Sequence, residues 1–278
     1  MYKRNKIIVN CRFLTQNLTG VQRFAIEISK QLRNVMGDQI LIVSPKKIMH
    51  YDIANELKVQ VIGFNSGHLW EQIDLPLYLN SNHSNSLLLN LANTGPLFYS
   101  NKIITLHDIA YERFSSSFSW RFSSFYKIIV PRLLNNCKHI FTVSNFSKEE
   151  ISLFYNIPKD NISVVYNAVS DIFKLSKKNN NQKYILAVSS ITPHKNFNNL
   201  IKAYNILKGD SVKLVLVGSS GMSFNNVEID KKDNKNIIFK GRVSDNELTD
   251  LYTNAICFIH PSLYEGFGIP PLEAQSCG

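Results

Sequence analysis

The sequence predicts an α/β protein built from two doubly wound units in series. Three observations carry that expectation. Short β-type apolar runs alternate with longer amphipathic ones along most of the chain, as in parallel sheets covered by helices on both faces. A polar, aperiodic stretch at 177–183 interrupts the alternation, and a further alternation follows it. The 278 residues, 44% hydrophobic and 19% charged, can form one large core or two moderate ones.

In the first unit, candidate strands lie at 6–9, 39–43, 58–62, 87–91, 102–106, 139–143 and 163–166. Thr19 suits the N-cap of a helix in which Val21, Phe24, Ile28, Leu32 and Val35 recur at helical spacing. Ser147-Lys148-Glu149-Glu150 reads as a capping box opening another helix. After the polar stretch, strands are expected at 184–188, 213–217, 237–239 and 256–259, and a helix at 197–207. Ser244-Asp245-Asn246-Glu247 is another capping box, for a helix running through Tyr252. The expected domains are 1–176, a linker at 177–183, and 184–278. The domain at 184–278 is expected to be incomplete, with apolar sheet faces left uncovered, because the chain stops at Gly278 just after a helix begins.

Composition narrows the function classes. No apolar run reaches the ~18 residues of a spanning helix, and the basic start is followed by too short an apolar run for a signal peptide. The default compartment is therefore the cytoplasm. The four cysteines, at 11, 137, 257 and 277, are widely spaced without metal-type pairing and read as reduced, mostly buried thiols. Of the net charge of +10, residues 1–182 carry +9 (21 Lys/Arg against 12 Asp/Glu). That suits nucleic acid, an anionic membrane or a phosphorylated substrate. No nucleic-acid recognition motif supports the first, and the absence of Gly-x-Gly-x-x-Gly after the first strand argues against a nicotinamide enzyme. Residues 113–138 hold five basic side chains, six aromatic ones and no acid. They form either a surface helix touching anionic lipid or a core helix with Phe122, Phe125, Ile129 and Leu133 inward, the core helix being favoured.

Polar motifs stand where strands end: Asn10-Cys11-Arg12, His107-Asp108, Ser189-Ser190 and His260-Pro261-Ser262. The strongest segment is HPSLYEGFGIPPLEAQSCG, residues 260–278. Glu265 and Glu273 are separated by seven residues, and Gly266 and Gly268 between them allow close backbone approach to a ligand. Pro271 suits the first helical position, placing Glu273 in the first turn. Free N–H groups suit anions and sugar oxygens, and carboxylates suit paired hydroxyls. Taken alone, Glu273 reads as a helix-dipole partner, Lys195 as a solvated charge opening a helix, and His107 equally as a hydrogen-bonded strand-end residue.

The 260–278 string resembles the Glu-x7-Glu signature of family-4 GT-B glycosyltransferases, which retain anomeric configuration. It is similar above all to a bacterial mannosyltransferase- and rhamnosyltransferase-like branch that builds surface polysaccharides such as lipopolysaccharide. Further segments follow the family's order: Thr19-Gly20-Val21-Gln22-Arg23, His107-Asp108, Ser144-Asn145-Phe146-Ser147, Asn167-Ala168-Val169, and Ser190-Ile191-Thr192-Pro193-His194-Lys195-Asn196. The resemblance implies two Rossmann-like domains, an acceptor-side one followed by a donor-side one, the latter incomplete. It implies transfer of a hexosyl unit, such as mannose, from a nucleoside diphosphate sugar to a glycan or lipid-linked glycan, without cofactor or metal. The protein would be cytoplasmic and peripheral on the inner face of the plasma membrane, with no nucleic-acid partner.

In that reading His107, Lys195 and Glu265 are catalytic: His107 lies near the anomeric carbon, Lys195 on the diphosphate, and Glu265 on sugar hydroxyls. Gly20, Ser190, His194, Gly266, Phe267, Gly268 and Glu273 join Lys195 and Glu265 in binding the donor, Glu273 at the ribose. Many relatives carry an Arg where this chain has Ser190 or His194, with Arg23 and Arg242 as candidate substitutes. An alternative reading, motivated by the ending, is an inactive fragment or degenerate member that binds donor weakly or not at all.

Overall fold

The computed structural model describes residues 6–176, 183–207, 212–218 and 235–278. Residues 177–182 of the expected linker lie outside these. The chain forms two compact units, Met1–Ile109 with Phe125–Asn167, and Ala110–Ser124 with Ala168–Gly278.

In the first unit the seven expected strands form one parallel sheet. They are β1 (Ile7–Asn10), β2 (Ile40–Ser44), β3 (Gln60–Val61), β4 (Leu87–Asn90), β5 (Lys102–Thr105), β6 (His139–Thr142) and β7 (Ile162–Val164). Their order is β3-β2-β1-β4-β5-β6-β7, so the topology reverses between β1 and β4, where such sheets open a crevice at their carboxyl ends. Ile8, Val43 and Leu88 from the sheet pack with Trp70, Leu75 and Leu79. The Trp70 indole N–H donates to the Ile62 carbonyl at 2.8 Å, so this large buried ring leaves no polar atom unpaired.

The helix Gly20–Met36 starts as expected: Thr19 is extended, and its N–H donates to the Gln22 side chain at 3.1 Å. Its buried positions are Gln22, Phe24, Ala25, Ile26 and Ser29. Burial stops there, so Val35, expected on the inward stripe, is 84% exposed. The helix Asn145–Tyr155 corrects another expectation. Its cap is Ser144, whose extended backbone aims the hydroxyl to accept from the Ser147 N–H at 3.0 Å. Ser147 is thus a buried residue of the first turn rather than the cap.

The other unit's strands are β8 (Tyr184–Val188), β9 (Lys213–Val217), β10 (Ile237–Gly241) and β11 (Cys257–Phe258), parallel and in the order β10-β9-β8-β11. Period-two alternation sends their side chains to two apolar clusters. Leu186, Val215 and Val217 pack with Phe173, Tyr252 and Cys277. Ala187, Leu214 and Leu216 pack with Phe197, Leu200 and Tyr204. Both faces are thus covered over β8 and β9, whereas the edge strands hold no buried residue: Ile237, Ile238, Phe239 and Phe258 are half-buried and Cys257 is exposed, so the expected exposure is found at the sheet's edges. Helix Asp245–Asn254 opens with the expected reciprocal box: Ser244 Oγ accepts from the Glu247 N–H, and Glu247 accepts from the Ser244 N–H at 2.9 Å.

The basic aromatic segment divides into two helices, Ala110–Arg113 and Trp120–Asn135, joined by a 3₁₀ turn. On the longer one Tyr126, Ile129, Val130, Leu133 and Leu134 are buried, while Arg121, Lys127 and Arg132 are not. Phe122 and Phe125 are only half-buried, so the inward stripe follows Ile129 and Leu133 rather than the two phenylalanines. No helix among the described residues is long and apolar enough to cross a membrane. The four cysteines are unbridged; Cys11 and Cys277 are buried, whereas Cys257 is exposed.

Candidate functional site

In the unit that holds β8–β11, two loops leave the carboxyl ends of adjacent strands. After β8, Thr192 is extended and opens a 3₁₀ turn, Pro193–Lys195; Asn196, left-handed at φ +62°, ends it where helix Phe197–Ile206 begins. After β11 comes 260–268. Two hydrogen bonds tie the loops: Asn196 Nδ2 donates to the Pro261 carbonyl at 3.0 Å, and the Leu263 N–H donates to the His194 carbonyl at 2.8 Å. Lys195 is thereby held beside Glu265, its Nζ 2.8 Å from Oε1. The same oxygen accepts from Ser262 Oγ at 2.9 Å and lies 3.2 Å from His260 Nε2. Burial alone would raise the Glu265 carboxyl. Contact with His260 and the charge of Lys195 outweigh burial and hold it down to about 2, so Glu265 is an anion throughout the neutral range.

A close approach of strand ends frames these loops. Gly218 has φ +140°, and a Cβ there would lie 1.7 Å from the Ser189 carbonyl oxygen. The Ser189 N–H donates to Val217 and the Gly218 N–H to Gly241, at 3.0 and 2.8 Å. Only glycine fits that crossing. Ser190 follows immediately, half-buried.

His194 is buried. Its backbone N–H donates to Ser117 Oγ at 3.1 Å, and its ring lies 5.7 and 6.0 Å from those of Phe118 and Phe114. Burial, then the charge of Lys195, push its pKa down to about 4. The ring is therefore neutral near pH 7 and does not replace the positive charge of the relatives' Arg.

Helix Ile269–Ser276 corrects the sequence reading. Gly268 at φ +85° is its N-cap, and Pro270 and Pro271 are its second and third residues, so Glu273 sits past the first turn. Glu273 is buried and accepts from the Tyr252 hydroxyl at 2.9 Å. Burial and the Glu273 charge push the Tyr252 hydroxyl far up. Of the two loop glycines, Gly268 alone has a left-handed φ; Gly266 is buried and Phe267 half-buried.

The first unit holds His107 and Gly20. Gly20 opens helix Gly20–Met36, and Phe24, one turn on, meets the His107 ring edge-on at 4.9 Å. His107 follows β5, buried, with Nε2 3.0 Å from the Leu91 carbonyl. A carbonyl only accepts, so Nε2 carries the proton. Burial lowers the pKa to about 4, leaving Nδ1 a bare acceptor at neutral pH.

The carboxyl ends of β1 and β4 also carry a network that sequence reasoning missed. Glu71, on a π-helical turn at Trp70–Asp74, accepts from Asn10 Nδ2 (2.8 Å), Arg12 Nε (3.1 Å) and Thr94 Oγ1 (2.8 Å), with His68 Nδ1 at 3.2 Å. Burial would raise this carboxyl, and the Arg12 charge, aided by these contacts, holds it at about 2. The strand-end motif at 10–12 was the only sequence signal for it.

Residues 18–171 match the family described as Glycosyltransferase Family 4, and residues 169–278 that described as Glycosyl transferases group 1. The O-antigen chain mannosyltransferase RfbU of Salmonella typhimurium is 30% identical over 97% of this chain and 79% of its own. O-antigen chain mannosyltransferase B of Escherichia coli is 34% identical over 52% of this chain and 42% of its own. Anabaena HepE, solved with UDP and glucose, superposes with a TM-score of 0.69 at 17% identity, over 99% of this chain and 79% of that one.

Proposed function

Because the chain belongs to glycosyltransferase family 4, with a GT-B fold, we propose that it transfers a hexosyl unit from a nucleoside diphosphate sugar to a glycan or lipid-linked glycan, with retention. The observation that carries this reading is the Lys195–Glu265 pair at the ends of β8 and β11. Its two charges suit the two halves of such a donor. The ammonium meets the diphosphate and stabilises the leaving group as negative charge develops. The carboxylate accepts from sugar hydroxyls. Lys195, and no metal ion or cofactor, supplies the positive charge. His107 offers its bare Nδ1 to the transferred sugar, and Glu273 serves the ribose.

Mannose is the proposed sugar and GDP-mannose the first donor to test, since RfbU and mannosyltransferase B are named for mannose transfer. The acceptor is proposed to lie at the inner face of the plasma membrane, reached through the basic side of helix Trp120–Asn135. Two variants test the site in one experiment. Glu265→Gln should fold and bind nucleoside diphosphate but lose ~10-fold or more in turnover, the scale of a charge-assisted hydrogen bond. Lys195→Ala should weaken nucleoside diphosphate binding more than nucleoside binding, read by calorimetry. Unchanged turnover in the first, or equal losses in the other, would remove the assignment.

A further inference from the structure

Three groups converge on one oxygen of Glu265. Lys195 Nζ is at 2.8 Å, Ser262 Oγ at 2.9 Å and His260 Nε2 at 3.2 Å, all from Oε1. The first two are well-placed bonds. The third is already a contact but falls short of hydrogen-bond geometry, and among the described residues neither buried ring nitrogen of His260 has a hydrogen-bond partner. Buried polar atoms left in that state are uncommon and call for an explanation.

Resting on the reading that Lys195 meets the diphosphate and Glu265 the sugar, we propose that His260 is a positioning residue, which takes over Glu265 Oε1 when Lys195 turns to the donor's phosphates. An ammonium drawn to a diphosphate shares its donors with two new anionic oxygens, so its hold on Glu265 weakens. A mostly buried carboxylate then needs another donor, or it swings away from the sugar. The bonds from Asn196 to Pro261 and from Leu263 to His194 tie the two loops together. The exchange is between side chains. A small turn of the His260 ring, which lies nearly parallel to Phe258 with centroids 6.2 Å apart, places an Nε2–H on Oε1. Ser262 keeps its bond, and Oε2, which takes none of these contacts, is left to accept from the sugar. The Lys195–Glu265 pair is then a resting contact, and the nucleotide half of the donor sets the carboxylate that reads the sugar half.

The test compares wild type, His260→Phe, His260→Gln and Glu265→Gln, using whichever of GDP-mannose, UDP-glucose and dTDP-rhamnose the wild type turns over. Affinities for the nucleotide sugar and its nucleoside diphosphate are measured by calorimetry, with KM and kcat for transfer and melting curves for folding. His260→Phe should bind the nucleoside diphosphate like wild type. It should lose about tenfold of the preference for the nucleotide sugar, the scale of one charge-assisted hydrogen bond, and this should appear mainly in donor KM. His260→Gln, which keeps a donor near the Nε2 position, should recover most of it. An unchanged preference in His260→Phe beside a changed one in Glu265→Gln overturns the role of His260 alone. So does failure of Gln to rescue, or an equal loss for both ligands. No effect in Glu265→Gln, or no binding of any of the three donors by wild type, overturns the site reading as well. One readout needs no variant, should His260→Phe not fold. Adding the nucleoside diphosphate to wild type should move the nitrogen-15 shift of His260 Nε2 to a hydrogen-bonded value, and an unmoved shift overturns the exchange.

Discussion

Single residues here are defined by what neutralises or satisfies them. His107 has one nitrogen committed to the Leu91 carbonyl and a pKa pushed from 6.5 down to about 4 by burial. The folded state thus takes up this proton at lower pH than the unfolded chain does. The associated stability is present in full above pH 6.5 and drains as pH falls toward 4. His194 acts in the same direction and window. The carboxyls of Glu71 and Glu265, lowered from 4.5 to about 2, withdraw their share mainly below pH 4.5, overlapping only the foot of that window. We predict that wild type weakens between pH 6.5 and 4, and that His107→Gln, whose amide can still donate to Leu91, removes up to about 3 kcal/mol of that dependence. Urea midpoints near neutrality and at about pH 4.5 measure it; parallel losses in the two proteins would contradict the assigned shift. Glu265 and Lys195 were singled out through the resemblance of their segments to the family's motifs, and Lys195 taken alone read as a solvated charge. Glu71 was not singled out, because its partners Asn10, Arg12 and Thr94 lie far from it along the chain and no local pattern links them.

Elements were legible where their signals are local. The Thr19 and Ser244 starts, strands β8 and β9, and the helix after Lys195 follow from caps and apolar period. The cap at Ser144 was misplaced by three residues because Ser144 and Ser147 have equally suitable side chains; the end of β6 decides which is extended. The glycine crossing at Gly218 was invisible for a related reason. Its strain is set by Ser189, which follows another strand. Gly218→Ala should cost at least ~2 kcal/mol, since both the left-handed φ and the close carbonyl oppose a Cβ. It should also weaken nucleoside diphosphate binding, because Ser189 begins the loop that carries Lys195. Thermal melting and calorimetry check both, and an unshifted melting temperature would show that the strand ends yield easily.

Across the molecule, charge and covering faces matter most. Nearly all the net positive charge belongs to residues 1–182. On helix Trp120–Asn135 the side turned from the core holds Arg121, Lys127 and Arg132 with Trp120, which is itself stacked by Arg121 at 5.4 Å. Basic groups beside an interfacial aromatic suit an anionic bilayer, at ~1 kcal/mol per cation near the surface. Replacing the three cations with Gln should lower co-sedimentation with vesicles containing anionic lipid and leave neutral vesicles unaffected. Equal sedimentation of both proteins would remove this face from membrane binding.

Periodicity, caps and turn residues act over a few positions, and they were enough for the class of the fold, the strands of each unit, most helix starts and the segment bearing Glu265. Three further features arose only on folding. Both faces of the sheet are covered over β8 and β9, while β10 and β11 stay partly exposed, because Phe173, Tyr252 and Cys277 on one face and Phe197, Leu200 and Tyr204 on the other come from separate segments and meet only in the folded chain. His194 became a neutral, enclosed ring, since desolvation is set by neighbours such as Phe114 and Phe118, remote in sequence. His260 and Lys195 came to one oxygen of Glu265: hydrogen bonds between two loops fix that geometry, and no spacing along the chain encodes it.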